Sequence, residues 1–309
     1  MSAALRLTIW HRSFQEIPAK QLLKVPLALG IRPAVTSREP FLPLSTVSFS
    51  VCEFLHETGR TYHAYHAGIG MVHPAIVSNS RPDLQHILFL LTLDKKLFRA
   101  PIRQEIRRVL DVGTGTGIWA MDFADAFPSA EVIGFDLSPI QPTMVPPNCK
   151  FVVDDFEQDW LHNKPFDYIH TRAISTAVKD WPHFLQQAYT NLKPGGWLEL
   201  QEPTYPLGCT NKSLTGGESS LMRWSNFFTD AAGKFGFDAE APHGLEPELR
   251  KAGFTEIYAK NYKWPIGTWA KGQEMKELGR YGVKNFREWL PSSSLALFKR
   301  HSDWSAESV

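Results

Sequence analysis

Apolar residues recur in two patterns along the chain, one helical and one made of short runs. Apolar positions at helical spacing predict a helix over 83–98. After it, short apolar runs alternate with helical stretches, which is typical of a parallel sheet covered by helices. The predicted strands cover 108–112, 131–135, 150–153, 166–170, 197–201 and 255–262. The pattern therefore predicts an α/β fold.

The first 50 residues lack this periodicity. They are interrupted by Pro18, Pro26, Pro33, Pro40 and Pro43. Proline disfavours helix interiors and central strands, so we expect 1–50 to be a poorly ordered leader. We expect 51–100 to form an N-terminal lid and helix, and 101–309 to form the main α/β domain.

Composition and charge narrow the functional classes. With 33 basic and 32 acidic residues, the net charge is +1, which argues against an unaided nucleic-acid binder. The longest apolar run, 87–91, is too short to cross a membrane. Cys52, Cys149 and Cys209 lie far apart, so neither a disulfide framework nor a zinc site is indicated. We expect a globular cytoplasmic protein that binds neither nucleic acid nor membrane.

A glycine-rich turn follows the first predicted strand of the domain, with the sequence Asp-Val-Gly-Thr-Gly-Thr-Gly over 111–117. Glycines let backbone N–H groups approach a ligand, and the next helix begins with unpaired donors. The nicotinamide fingerprint needs glycine at 118, where Ile118 stands, so dinucleotide binding is disfavoured. Asp111 would repel a phosphate and suits a cofactor with a cationic amino-acid end. A tight turn without a ligand is the alternative.

Acidic residues end the next two predicted strands. Asp136 lies about twenty residues beyond the turn, where a carboxylate accepts hydrogen bonds from two ribose hydroxyls. Asp154, Asp155 and Phe156 follow the third strand, and an acid with an aromatic ring suits adenine. Of the two adjacent acids, one is expected to face the ligand and the other to cap the next helix. Three strand ends therefore point to one nucleoside.

Five segments in this order resemble the class I S-adenosylmethionine-dependent methyltransferases, and more narrowly the fungal LaeA-like family. They are Arg-Thr-Tyr-His-Ala-Tyr (60–65), Asp-Leu-Gln-His (83–86), the strand and glycine turn (109–120), Asp-Leu-Ser-Pro-Ile-Gln-Pro (136–142) and Leu-Lys-Pro-Gly-Gly-Trp-Leu-Glu-Leu-Gln-Glu (192–202). The resemblance covers roughly 53–307 and implies a Rossmann-like fold with S-adenosyl-L-methionine as cofactor. The main domain, 101–309, would then be the methyltransferase domain.

The resemblance also implies roles for individual residues. The methionine end and sugar would be held by Asp111, Gly113, Thr114, Gly115 and Gly117. Asp136 would bind the ribose, and Asp155 with Phe156 would bind adenine.

Methyl transfer needs alignment of the acceptor and sometimes a base. Ligands of such sheets bind at the carboxyl ends of the strands. His170, Arg172 and Glu202 follow the fourth and fifth predicted strands, so they are candidates for binding the acceptor or removing its proton. For His170 and Glu202 a catalytic role and a structural one remain equally open.

Other residues favour simpler roles. His63 and His66 are spaced like metal ligands, but no third ligand accompanies them, so we expect no metal. Trp224, Phe227 and Phe228 lie at helical spacing in 219–234. They either line an aromatic acceptor pocket or, as we prefer, pack a helix.

The chain departs from the family at its end. It stops at Val309, four residues beyond Trp304-Ser305, where a further helix and strand are usual. We expect the last strand, which normally lies between the fifth and sixth, to be lacking unless something replaces it. The leading hypothesis is an enzyme that O- or N-methylates a small-molecule acceptor in fungal secondary metabolism. The alternative is a regulatory or accessory protein with a protein partner and weak or no activity, in which case a nuclear location is expected.

Overall fold

The computed structural model describes residues 6–10, 54–57, 60–63, 80–208 and 219–301. The strands are β1 (Arg6–Trp10), β2 (Phe54–Glu57), β3 (Arg60–His63), β4 (Arg108–Val112), β5 (Glu131–Asp136), β6 (Cys149–Val153), β7 (Phe166–Arg172), β8 (Leu192–Gln201) and β9 (Glu256–Lys260). The helices are α1 (Ser80–Thr92), α2 (Ile118–Ala126), α3 (Trp181–Thr190), α4 (Ser220–Lys234), α5 (Leu245–Ala252) and α6 (Gln273–His301), with a short 3-10 turn at Ala241–His243.

Seven strands form one sheet in the order β6-β5-β4-β7-β8-β1-β9. Every pairing in this sheet is parallel. The chain fills one side of β4 first, with β5 and β6, and then crosses to its other side with β7 and β8. This confirms the predicted Rossmann-like architecture and places the reversal of strand order between β4 and β7, where such sheets bind ligands.

Helices cover both faces of the sheet, which explains why β4 and β5 are apolar on both sides. On one face, Leu110 and Ile169 pack in a core that includes Phe184 of α3 and Leu249 of α5. On the other face, Val109, Tyr168 and Trp197 pack with aromatic residues of α2. The sheet therefore has two separate hydrophobic layers, as its unbroken apolar runs predict.

Strand β1 corrects two expectations about the ends of the chain. Arg6–Trp10 fall within the expected leader, 1–50, yet they form a strand. This strand lies between β8 and β9 and pairs in parallel with both, from Arg6↔Trp197 and Arg6↔Glu256 onward. The position where we expected a missing strand is therefore occupied by the N-terminal strand. Residues 1–5 and 11–53 lie outside the described part of the chain.

Helices α4 and α6 pack against each other through aromatic side chains. Trp224 stacks on Phe228 with 5.3 Å between ring centroids, and its indole N–H donates to Ser294 Oγ at 2.7 Å. Phe228 is fully buried, and Phe227 meets Phe298 edge to face. Packing, which we preferred over an acceptor pocket, is therefore what these rings do in the structure.

The predicted lid region is described only in part. β2 and β3 form an antiparallel hairpin, which contains Tyr62 and His63. Tyr65 and His66 lie outside the described residues. Among the helices that are described, none combines the length and apolar character needed to cross a membrane.

Removal of residues 1–10 is expected to destabilise the protein, because β8 and β9 would both lose their shared neighbour. At about 1 kcal/mol for each of several ladder hydrogen bonds, the free energy of unfolding should fall by roughly 5 kcal/mol. The two exposed edges should also promote aggregation, measurable by light scattering. Removal of residues 1–5 alone is the control, since it leaves Arg6–Trp10 in place; equal stability of the two truncations would contradict this assignment of β1.

Candidate functional site

The glycine turn after β4 lies at the reversal of strand order. Gly113, Gly115 and Gly117 have φ values of 67°, 57° and 79°, in the left-handed region that glycine adopts without strain. The backbone N–H groups of Gly113 and Thr114 both donate to Phe135 O at 3.0 Å, which fixes the turn to β5. The predicted loop is therefore present, and its shape depends on its glycines.

Asp111 holds this turn from within the sheet. One carboxylate oxygen accepts a hydrogen bond from Thr114 Oγ1 at 2.6 Å, and the other contacts His170 Nδ1 at 2.7 Å. Because a carboxylate only accepts, His170 carries its proton on Nδ1. Asp111 and Thr114, both predicted to hold the cofactor, therefore also bond to each other and set the conformation of the turn.

His170 is not placed to act as a catalytic base. Its side chain has no exposed surface, and its ring stacks on Trp119 with 3.6 Å between centroids. Burial lowers the pKa of His170 despite the hydrogen bond to Asp111, which keeps the ring neutral near pH 7. In the structure His170 orients Asp111, which supports the structural alternative for this residue.

Gly117 serves packing. A β-carbon at this position would lie 2.2 Å from Cζ of Phe151, whose ring also fills the space above Gly134. Since no side chain fits between the turn and Phe151, glycine is required at 117 with or without a ligand. Gly117 was predicted to contact the cofactor. The structure explains the need for glycine at this position by the close contact between the turn and β6.

Asp136 ends β5 and faces the turn. Its Oδ2 accepts from Gly115 N at 2.8 Å, and its Oδ1 accepts from Ser138 N at 2.9 Å. The residue is only partly buried. The carboxylate is therefore held in a fixed orientation at the carboxyl edge of the sheet.

The two acids after β6 differ in exposure, as expected for neighbours at a strand end. Asp155 is 7% exposed and accepts a hydrogen bond from Glu157 N, whereas Asp154 is exposed. Phe156 is buried, and its Cε1 lies 3.9 Å from the position of a β-carbon on Gly113. The ends of β4 and β6 therefore meet, although β5 separates the two strands in the sheet.

The turn after β7 was not predicted as part of the site. Ala173 has a φ of 57°, which is unusual for a residue with a β-carbon and marks local strain at a potential functional site. The next residue, Ile174, reaches Gly113: its Cγ2 would lie 2.6 Å from a β-carbon there. No sequence pattern predicts this conformation at an alanine, because tertiary contacts impose it.

Glu202 fastens that turn to the end of β8. Its Oε2 accepts from Ser175 N at 2.9 Å, and its Oε1 accepts from Thr171 Oγ1 at 3.2 Å. Burial raises the pKa of Glu202 to about 7, although these hydrogen bonds act in the opposite direction. Glu202 is therefore bonded to the turn after β7, whose Ile174 contacts the glycine turn, and its pKa lies near neutral pH.

A second buried carboxylate, Glu199, joins the segment after α1 to the sheet. It accepts hydrogen bonds from the backbone N–H groups of Arg99 and Ala100, from Tyr168 Oη at 3.0 Å and from Gln201 Nε2 at 2.8 Å. The pKa of Tyr168 is raised well above its ordinary value by burial, so its hydroxyl stays protonated and donates. Glu199 thus has donors on both oxygens, which offsets the cost of burying its charge.

Arg172, at the end of β7, continues this buried network to α1. Its Nε donates to Gln201 Oε1 at 2.9 Å, and its Nη1 donates to His86 Nδ1 at 3.0 Å. The other nitrogen of His86 lies 3.0 Å from Asp122 of α2. His86 belongs to the Asp-Leu-Gln-His segment, so the structure gives this motif a physical role: it connects α1 and α2 to the carboxyl end of β7.

A family model described as a methyltransferase domain matches residues 84–258. The chain belongs to this methyltransferase family. It is an S-adenosylmethionine-dependent methyltransferase, as its resemblance to the class I enzymes implied. The match includes the glycine turn, Asp136, the turn after β7 and Glu202.

Curated relatives of the methyltransferase come from fungi. Methyltransferase pytC of Aspergillus terreus is 38% identical over 266 residues, which cover 86% of this chain and 82% of the relative. The secondary metabolism regulator LAE1 of Cochliobolus heterostrophus is 35% identical, with coverage of 80% and 82%. The protein-methionine methyltransferase laeA of Emericella nidulans is 32% identical, with coverage of 83% and 69%. The LaeA-like resemblance is thereby confirmed, and the chain groups with methyltransferases of fungal secondary metabolism.

Solved structures show a more distant likeness. A chain from the complex between the Haloferax volcanii Trm112 methyltransferase activator and the putative methyltransferase has a TM-score of 0.44 at 17% identity, and the match covers 70% of this chain and 92% of that one. Phosphoethanolamine N-methyltransferase 2 of Haemonchus contortus, solved with S-adenosylhomocysteine, has a TM-score of 0.37 at 20% identity, with coverage of 57% and 36%.

The residues at the carboxyl edge of the methyltransferase fit its cofactor. The cofactor has a ribose with two hydroxyls, an adenine ring and an amino-acid end. Asp136 offers a fixed carboxylate, Phe156 an aromatic ring near Gly113, and the turn a backbone free of side chains at Gly113 and Gly115. No phosphate is present in this cofactor, which agrees with the buried negative charge of Asp111.

Gly117→Ala is expected to destabilise the protein more than a glycine substitution without a clash. Overpacking against Phe151 should cost about 1–3 kcal/mol beyond the cost of a left-handed alanine. Gly195→Ala is the matched control, because Gly195 has the same φ of 79° but no atom within 4 Å of its β-carbon position. Chemical denaturation measures both; equal losses would show that Phe151 does not impose the glycine.

Glu202→Gln is expected to change how stability depends on pH. The wild-type carboxyl titrates near its ordinary value when unfolded and near 7 when folded, so between these values only the folded state holds the proton. The contribution of Glu202 is therefore fully present at low pH and lost as pH rises through 7. Relative to Glu202→Gln, the wild type should lose about 3 kcal/mol between pH 4.5 and pH 8.

Denaturation of both proteins across this pH range measures that difference. Glu248→Gln is the control, because Glu248 lies on the surface of α5 and pairs with Lys251. A difference between wild type and Glu202→Gln that stays constant with pH would contradict the raised pKa.

Proposed function

We propose that this methyltransferase transfers a methyl group to a hydroxyl or amine of a small molecule of secondary metabolism. The observation that carries the proposal is Glu202, a carboxyl group with a pKa of about 7 that is bonded to the turn after β7, next to Ile174 and its contact with Gly113. Oxygen and nitrogen acceptors lose a proton on methylation, and a base works best with a pKa near the working pH. The similarity to methyltransferase pytC supports methyl transfer as the reaction.

In the proposed site, residues at the ends of three strands bind different parts of the cofactor. Asp136 binds the ribose hydroxyls, and Asp155 with Phe156 holds adenine. Asp111, Gly113, Thr114 and Gly115 shape the surface for the methionine end, with Gly117 fitted against Phe151 behind them. When bound, S-adenosylmethionine supplies the electrophilic methyl group, so the chain itself provides alignment and a proton acceptor.

Glu202 is the proposed proton acceptor. Its hydrogen bonds from the side chain of Thr171 and from the backbone N–H groups of Ile174 and Ser175 fix the carboxylate. His170 has no such role in this proposal, since its exposed surface is nil and it bonds to Asp111. The acceptor would bind next to the turn after β7, where Glu202 bonds to Ser175 and Ile174 contacts Gly113.

A second candidate function follows from the relatives with regulatory names. The regulator LAE1 and methyltransferase pytC are similarly close to this chain, at 35% and 38% identity. A regulatory protein would act through a protein partner and would not need a small-molecule acceptor. Metabolite profiles of a deletion strain separate the two: one accumulated unmethylated precursor supports the tailoring enzyme, whereas loss of many unrelated products supports the regulator.

Asp136→Ala is expected to weaken binding of S-adenosylmethionine about tenfold to a hundredfold, because two charge-assisted hydrogen bonds to the ribose are lost. Isothermal titration calorimetry measures the dissociation constant. Asp154→Ala is the matched control, since Asp154 is an exposed acid at the neighbouring strand end. Unchanged affinity of Asp136→Ala would contradict the ribose placement, and no binding by folded wild-type protein would refute the proposed site as a whole.

A further inference from the structure

Arg172 carries a buried donor that has no partner among the described residues. Its Nη2 is shielded from solvent and has no hydrogen-bond partner, whereas Nε and Nη1 are both bonded. Unsatisfied buried donors are rare, because such a donor has lost its hydrogen bond to water without gaining another. The unbonded nitrogen therefore indicates a partner outside the described residues.

The charge of Arg172 also lacks a direct counter-ion among the described residues. Its two acceptors, the amide oxygen of Gln201 and Nδ1 of His86, are neutral. Burial lowers the pKa of Arg172 to about 10, which still leaves the guanidinium charged at neutral pH. A buried cation is stabilised most by an anion with direct hydrogen bonds, so the missing group is expected to be negatively charged.

The acceptors of Arg172 are themselves held in place, which fixes the direction of Nη2. Gln201 donates its amide N–H groups to Leu97 O and Glu199, and so presents its oxygen to Arg172. His86 faces Asp122 with Nε2 and so presents Nδ1. The ring of Phe89 lies 4.5 Å from the guanidinium carbon. The guanidinium is therefore preorganised before any ligand binds, which lowers the cost of binding.

Arg172 is placed at the cofactor site. It ends β7, directly before Ala173 and Ile174, and Ile174 packs on Gly113 of the glycine turn. In contrast to His170, which is fully buried, Arg172 as a residue is partly exposed. An anionic group on a ligand in the glycine turn would thus lie near the guanidinium.

We propose that Arg172 binds the carboxylate at the amino-acid end of S-adenosylmethionine through its Nη2. This proposal rests on the proposed cofactor site and adds to it a residue for the anionic end of the ligand. In this arrangement Asp111 lies on the side of the positively charged amino group, and Arg172 binds the negatively charged carboxylate. Because His86 of α1 bonds to both Asp122 and Arg172, cofactor binding would depend on the position of α1.

The test compares S-adenosylmethionine with decarboxylated S-adenosylmethionine, which differs only in the carboxylate, by calorimetric binding. Wild-type protein is expected to prefer the carboxylated form by about tenfold or more. Arg172→Met should reduce this preference to about twofold or less by weakening only the carboxylated form. Arg172→Lys keeps the positive charge but lacks the planar guanidinium, so it should retain part of the preference. It replaces Arg172→Met in the test if that variant does not fold.

Arg108→Met is the matched control, because Arg108 begins β4 at the opposite edge of the sheet and pairs with Glu131. It should leave the preference unchanged. Equal affinity of wild-type protein for both forms would overturn the proposal and leave a buried water as the partner of Nη2. Equal weakening of both forms by each Arg172 variant would also overturn it, by assigning Arg172 to packing alone. Failure of folded wild-type protein to bind either form would instead refute the proposed cofactor site.

Discussion

The burial of polar and charged side chains on one face of the parallel sheet is the constraint on which the rest of the site depends. Asp111, His170, Arg172, Glu199 and Gln201 all lie on the face covered by α1 and α2, and each must find partners in place of water. Those partners are the glycine turn, the segment after α1 and His86. The need to satisfy these groups therefore fixes how the turns and helices at the carboxyl edge sit on the sheet.

This constraint separates residues that shape the site from residues that face a ligand. His170 orients Asp111, Asp111 fixes Thr114, and Gly117 accommodates Phe151, so all of these act at least partly through the position of the turn. Asp136 and Glu202 are held in a fixed orientation by backbone N–H groups at the carboxyl edge of the sheet. Such fixed groups meet the main requirement of a methyltransferase, because the cofactor supplies the reactive methyl group and the protein supplies alignment.

Much of the fold could be predicted from the sequence, because apolar runs and the glycine turn are local signals. All six predicted strands and the helix before them are present, with ends shifted by a few residues. β1 was missed because five residues ahead of a proline-rich stretch carry no local sign of pairing with strands about 190 and 250 residues away. The role of His170 and the left-handed Ala173 depend on Asp111 and Gln201, which are distant in sequence and adjacent only after folding.

The central claim is that a nucleoside cofactor lies across the reversal of strand order between β4 and β7, with its ribose on Asp136. A crystal structure of the protein with S-adenosylhomocysteine tests it most directly. The account predicts ribose hydroxyls within hydrogen-bond distance of the Asp136 carboxylate and adenine against Phe156. A nucleoside bound away from the glycine turn, or one whose ribose does not contact Asp136, would contradict it.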